Sequence, residues 1–364
     1  MKRGKAGALI ALALVTAASV GCSTTASGDK AGGPVGGPVV LRMASSPFGL
    51  ADIPPVADFV HRVDTLSDGS LQIKVINDWD GDAPGTEAQV VHAVAAGTVD
   101  LGWAGSRVFD TVGTRSWQAL SAPLLIDSYP LENAVLRSGM PGRMLAGLPK
   151  IGVAGVGVLG ERLRLPFRAH RPLLAPADWR GASFGTYQSG VQEQAIRALG
   201  ATPLVAFGPY RQHYLARGEM QGFELDIRRY FRDVGPTGTM YATANMALWP
   251  QFDVLIANPR WLASLTAQQR GWLQQAARAA AENSVALAAS GSAAYLRQAC
   301  AIGGRFVTAT PADLAAMRRS LSAVYQSLET DPQTRAFIQQ IRRLKAATPP
   351  GPPLRIPVGC IRAH

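Results

Sequence analysis

From Val39 onward the apolar positions change period repeatedly, from near two to near 3.6, as strands and amphipathic helices do when they alternate. Residues 39–44 form a short apolar run. Residues 54–66 place Val56, Phe59, Val60 and Val63 on one helical face, and 71–76 alternate as a half-buried strand does. This is a β-α-β opening. A second helix is expected over 87–96, with Val90, Val91 and Val94 inward and Gly97 ending it, before a strand entered at 100–103. Further along, 151–159 is β-branched and glycine-spaced, 182–186 reads as a strand, and Ser189 is placed to cap a helix over 191–199. A strand over 253–257 precedes an Ala- and Gln-rich helical stretch that opens at Thr266 and runs toward Ala301. A short strand over 305–308 and a last substantial helix over 311–328 follow. No internal repeat of fixed period interrupts this α/β alternation.

The first 38 residues obey a different rule. Lys2, Arg3 and Lys5 precede a small, apolar stretch from Ala6 to Val20, too short to span a bilayer and patterned like a secretory signal. It ends on Ser19-Val20-Gly21-Cys22, which resembles a bacterial lipobox, with Ser19 where leucine is usual. Cys22 is therefore expected to be lipidated, and residues 1–21 removed. Residues 22–38 are rich in Gly, Ser, Thr and Pro and read as a flexible tether.

This address changes the meaning of the charge. The 364 residues carry a formal +11, which would otherwise raise the question of nucleic acid. Losing three basic residues with the signal leaves 11 − 3 = +8, on an exported protein that meets no genome. Three cysteines and five histidines, none clustered, supply no zinc or iron–sulfur ligand set, and neither a metal nor a cofactor is expected. With Cys22 committed to lipid, Cys300 and Cys360 remain as an even pair, disulfide-bonded or as two free thiols.

Two strings imitate catalytic motifs. Gly155-Val156-Gly157-Val158-Leu159-Gly160 has dinucleotide-binding spacing, but the segment after it, with Pro166, does not open a helix onto a pyrophosphate. Gly181-Ala182-Ser183-Phe184-Gly185 has nucleophile-elbow spacing, yet a polar turn precedes it where an apolar strand should. An exported serine hydrolase using Ser183 is thus a remote alternative. An exported α/β chain without a catalytic constellation favours a solute-binding receptor over an enzyme.

Several strings, collinear along most of the chain, resemble the substrate-binding proteins of tripartite ATP-independent periplasmic (TRAP) transporters. They are Thr86–Val94 with Ala96-Gly97-Thr98-Val99-Asp100-Leu101-Gly102, Ala122-Pro123-Leu124-Leu125 and Gly160-Glu161-Arg162. Pro176-Ala177-Asp178-Trp179-Arg180-Gly181, Ala198-Leu199-Gly200-Ala201-Thr202-Pro203, Gly218-Glu219-Met220-Gln221-Gly222-Phe223-Glu224 and Asn258-Pro259-Arg260-Trp261 continue the series. The resemblance implies two α/β domains joined by crossing strands and a long helix, with one ligand in the cleft between them. The division it suggests is 39–160 with 246–290 as domain I, 161–245 with 291–345 and C-terminal helices as domain II, and 346–364 as a tail.

The resemblance also assigns roles. The family's carboxylate-clamping arginine falls on Gly185, the aspartate of its "D-G-x-E" string on Gln221, and the asparagine after that glutamate on Leu225. Arg162 stands at a second cleft arginine, or else belongs to a solvated basic run with Arg164 and Arg168. Gly185 is expected to open room for a bulkier or less acidic ligand. Trp103 and Phe184 are cleft stackers or core, and Glu224 a ligand acceptor or a structural one. Ser45, Phe48 and Asp52 follow the first strand, where α/β sheets place ligands. The implied function is capture of a small organic solute, carboxylate-bearing but not a usual diacid. The implied delivery is to integral-membrane transporter subunits, from a lipid-anchored position on the outer face of the cytoplasmic membrane. A ligand-sensing receptor without transport is the alternative.

Overall fold

The computed structural model describes residues 37–45, 49–206, 208–234 and 239–361. Cys22, Phe48 and the signal-like segment lie outside these residues.

The alternating segments become β1 (Val39–Ser45), β2 (Leu71–Ile76), β3 (Leu101–Gly105), β4 (Ala154–Ala169), β5 (Ser183–Thr186) and β6 (Thr202–Val205). They are followed by β7 (Gly222–Leu225), β8 (Met240–Thr243), β9 (Trp249–Ala257) and β10 (Arg305–Val307). Their order is β2-β1-β3-β9-β4-β7-β5-β6, with β8 on β4 and β10 on β8. In the first half β1 lies parallel between β2 and β3, joined to β2 through the helix Pro54–Leu66. In the second half β5 is parallel to both β6 and β7. Two long strands join the halves. β9 runs antiparallel to β3 and β4, while the far end of β4 pairs antiparallel with β7 and β8. These are the crossing strands of a two-domain binding-protein fold.

Three apolar clusters among the described residues hold the halves. One packs Val90, Trp117, Leu131, Phe184 and Ile338, and a second Val56, Phe59, Trp103, Leu273 and Ala277. The third gathers Phe167, Phe223, Tyr230 and Phe306 around Cys360. Full burial of one such aliphatic or Phe side chain contributes about 1.5–3 kcal/mol.

The long helical stretch divides into Ala267–Ala289 and Ser292–Ala301, because Ser290 is extended and Gly291 takes φ 72°. Ser290-Gly291-Ser292 lowers helix propensity at the break, and the left-handed glycine turns the chain from the second cluster toward the third. Residues 311–328 also divide, into Pro311–Ser320 and Ser322–Leu328. The last substantial helix is instead Pro332–Ala347. Asp331 opens it by accepting the Thr334 amide at 2.7 Å, and Phe337, Ile338 and Ile341 are its buried stripe. Gln339 and Gln340 lie between those three, and Arg335, Arg342, Arg343 and Lys345 flank the stripe.

Candidate functional site

The sequence-derived candidates separate into core residues and a buried charged junction. Ser45 and Trp103 are register partners on β1 and β3, and the indole Nε1 donates to Ser45 Oγ at 3.0 Å. Trp103 is 1 % exposed and packs in the second cluster, so its ring is core and not a cleft stacker. Phe184 is likewise core, with its ring centroid 4.7 Å from that of Trp179.

Gly185 does not open room. A Cβ there would lie 2.7 Å from Met220 Sδ and 3.1 Å from Phe223 Cβ, so the volume is already filled. Cys300 and Cys360 form a disulfide, with Cα atoms 5.2 Å apart, and Leu354 and Ile356 of the preceding tail pack on the third cluster.

Both catalytic look-alikes dissolve into ordinary elements. All of 155–160 lies within strand β4, and Ser183 begins β5, whose following helix starts only at Gly190. Ser189 Oγ accepts the Gln192 amide at that helix's start.

The junction is built on an irregularity in β4. Opposite β9, Gly160 pairs with Phe252 and Leu163 with Pro250, so β4 carries one extra residue between them. Such a bulge takes amides out of the ladder and turns side chains to new directions. Side chains satisfy the amides here. The Gly160 N–H donates to Ser284 Oγ at 2.8 Å, Glu161 N–H to Glu132 Oε1 at 3.0 Å, and Arg162 N–H to its neighbour's Glu161 Oε2 at 2.8 Å.

The bulge turns Arg162 inward. Its guanidinium meets Glu161 at 3.0 Å and Asp226 at 3.8 Å, with 4 % of the side chain exposed. The solvated-run reading is therefore wrong for this arginine, for Arg164 at 1 % exposure and for buried Arg168, which donates to the Asp178 carbonyl. Arg164 Nε lies 3.4 Å from Glu224, its Nη1 3.4 Å from Asp226, and its Nη2 donates to Gln251 Oε1. Arg229 adds a third cation to Asp226 at 3.7 Å. On the β3 side Arg107 pairs with Glu87 at 2.8 Å and lies 3.9 Å over the Tyr187 ring, which Arg164 also faces at 5.2 Å. Gly105 is needed beside that pair, since a Cβ would come within 2.7 Å of both partners.

Burial and charge pull these groups apart. Burial disfavours the Arg162 cation, yet Glu161 and Asp226 hold its pKa above the ordinary arginine value. Burial would likewise lift Asp226, but Arg162, Arg164 and Arg229 keep it below the usual carboxylate range. Asp253 has no such cage. Burial first, then the charge of Glu161, pushes it up to about 7 despite a 3.0 Å hydrogen bond from Gln251 Nε2. Burial and Glu161 also push Glu132 well above its normal value.

Contacts between the two halves surround this junction. Asp110, after β3, accepts from Ser189 Oγ and the Val191 amide, each at 3.2 Å, at the start of the helix after β5. Arg228 donates to the Ala51 carbonyl at 3.0 Å, and Arg162 reaches the Asp52 carbonyl at 3.5 Å.

The strings that carried the resemblance are mostly turn and cap residues. Asp178 accepts the Leu174 and Ala175 amides, and Gln221 holds the Ser183 amide. Asn258 caps Pro259–Ser264 while donating to Val94 O. Residues 55–331 match the sequence profile of the bacterial extracellular solute-binding proteins, family 7. The chain belongs to that family.

Solved TRAP solute-binding proteins share the fold of this family 7 protein. A TRAP periplasmic solute-binding protein from Ralstonia eutropha H16, with bound (S)-2-acetolactate, is 20% identical at a TM-score of 0.73, covering 85% of this chain and 99% of its own. One from Shewanella oneidensis with bound succinate is 17% identical at 0.73, covering 84% and 99%. A marine metagenome protein specific for pyroglutamate is 17% identical at 0.73, again covering 84% and 99%. No curated protein sequence matches the chain. Among the described residues no helix is long and apolar enough to cross a membrane.

Sequence reasoning passed over Glu87, Arg107, Arg164, Tyr187, Gln251 and Asp253. Asp253 inside the apolar run Trp249–Ala257, and Arg164 between Leu163 and Leu165, were the available signals. A charge within an otherwise apolar strand is placed to be buried and paired.

Proposed function

We propose that this family 7 protein is an exported receptor that captures a small organic solute at the β4–β9 junction and delivers it to TRAP-type membrane subunits. The observation that carries this reading is the family match over residues 55–331, which encloses every element of the junction. Cys22 is the proposed lipid anchor, holding the receptor at the outer face of the cytoplasmic membrane. Domains I and II, divided as above, are the proposed moving bodies, and closure of one on the other around solute is the proposed working motion.

The solute is proposed to bear a carboxylate without being a simple diacid. Relatives hold acetolactate, pyroglutamate and succinate. In this chain Arg162 and Arg164 are both engaged by acidic neighbours, and position 185 offers no cation. Arg162 and Glu224 are proposed contacts.

A thermal-shift screen of small carboxylates, amino acids, sugars and aromatic acids tests the reading. A ligand that binds only the folded chain stabilises it by RT ln(1 + [L]/Kd), about 2.7 kcal/mol at a hundredfold excess over Kd. A family-wide panel with no stabilising member speaks against solute capture. Retention of a Cys22→Ser variant in the membrane fraction, alongside the unaltered chain, speaks against the anchor.

A further inference from the structure

The junction's arginines already have acids, whereas part of its acid lacks a donor. Arg107 is held by Glu87, Arg162 by Glu161 and Asp226, Arg164 by Glu224 and Asp226, and Arg229 by Asp226. Glu224 is 2 % exposed, yet neither carboxylate oxygen receives a hydrogen bond from the described residues. Arg164 Nε stands 3.4 Å from one of them without donating to it. Asp253 Oδ2, wholly buried, also lacks a donor among the described residues, and a chain through Gln251 and Arg164 connects this carboxylate to Glu224.

Buried carboxylate oxygens without donors are costly and call for a partner. A second carboxylate arriving alone brings only acceptors. Two buried donors adjoin these acids, Arg107 Nε and Arg164 Nε, which have no hydrogen-bond acceptor among the described residues. Both guanidiniums face the Tyr187 ring, Arg107 at 3.9 Å and Arg164 at 5.2 Å. The orphaned set thus pairs acceptors with donors, which is the complement of a molecule carrying both an ammonium and a carboxylate.

Resting on the solute-receptor reading, we propose that the captured solute is a zwitterion of the amino-acid class, whose protonated amine is received by Glu224. Its acid end faces the Nε atoms of Arg107 and Arg164. The inference narrows the substrate class and makes Glu224 a specificity-determining residue.

The test is calorimetry and thermal shift on the whole exported chain. The panel is the common α-amino acids, each paired with its deamino acid of the same carbon skeleton, such as leucine with 4-methylpentanoate. At least one amino acid is expected to bind roughly tenfold to a hundredfold more tightly than its deamino partner, the loss for one charge-assisted hydrogen bond. Glu224→Gln should collapse that ratio toward one. A purely structural Glu224 would lower the melting temperature of the variant and leave the ratio intact, which overturns the assignment. Equal binding of the deamino acids by the unaltered chain overturns the amine requirement while leaving solute capture standing. No binding by any member of either series overturns the amino-acid assignment, while the wider thermal-shift panel decides solute capture.

Discussion

Asp253→Asn isolates the cost of keeping a carboxylate in the junction. The folded-state pKa is about 7 against an ordinary 3.8, so between these values the native chain holds a proton that the unfolded chain has released. Stability from this group is fully present below 3.8 and is lost as pH rises through 7. Each pH unit inside that window is worth about 1.4 kcal/mol. From pH 5 to pH 8 the unaltered chain should therefore lose about 3 kcal/mol through Asp253. The groups around it are Glu161 on β4, Gln251 on β9, Glu87, and Arg107, which alone among these charges favours ionisation. Glu132 couples to the same cluster and is raised with it. Asparagine keeps the Oδ1 that Gln251 donates to, and removes the titration. Urea unfolding followed by tryptophan fluorescence at pH 5, 6, 7 and 8 is the assay. The variant's advantage over the unaltered chain should grow by about 3 kcal/mol between pH 5 and pH 8 and vanish only below pH 3.8, with the variant keeping only the slope due to Glu132. Parallel pH profiles, or a variant weaker at pH 8, would refute the argument that Asp253 is buried without adequate compensation.

Arg162→Ala strands Glu161 and part of the cage around Asp226, so it should destabilise the fold by about 3–5 kcal/mol, seen as a lower urea midpoint before any ligand is added. Gly185→Arg should not create a carboxylate clamp, because Met220 fills the space. It should cost several kcal/mol through overpacking and an unpaired buried charge, and a melting temperature equal to that of the parent would contradict this. Trp103→Phe should lower stability by about 1–3 kcal/mol through the lost bond to Ser45 and lost volume, yet leave solute affinity within twofold in calorimetry, as befits a core ring. Reducing the Cys300–Cys360 bridge, whose partners are 60 residues apart, should cost at most about 4 kcal/mol, read as a lower melting temperature with reductant.

The periodic elements were legible before any coordinates. Residues 54–66 and 71–76 became Pro54–Leu66 and Leu71–Ile76, and the Ser189 cap forms where the pattern placed it. Those features follow from neighbours in sequence, through side-chain period and from a hydroxyl three residues before an amide. The α/β class and the family strings belong to the same level, since turn residues such as Asp178, Gln221 and Asn258 act within short reach of their own chain or at fixed registers. Where a charged side chain finds its partner is decided at another level. Arg162 faces Glu161 and Asp226 because one extra residue in β4 turns it inward, and no local pattern announces that residue as a bulge. Gly185 looked spacious because glycine has no side chain, while Met220, 35 positions later, occupies the volume. Trp103 and Phe184 could have lined a cleft or a core until the sheet order put them under helices. Local pattern was enough for the opening helix and strand, the Ser189 cap and the family, but not for the helix Pro332–Ala347 or the break at Gly291. The tertiary structure alone decided which charges share a low-dielectric junction, because Coulomb energy and desolvation depend on distance and burial in space and not on separation along the chain.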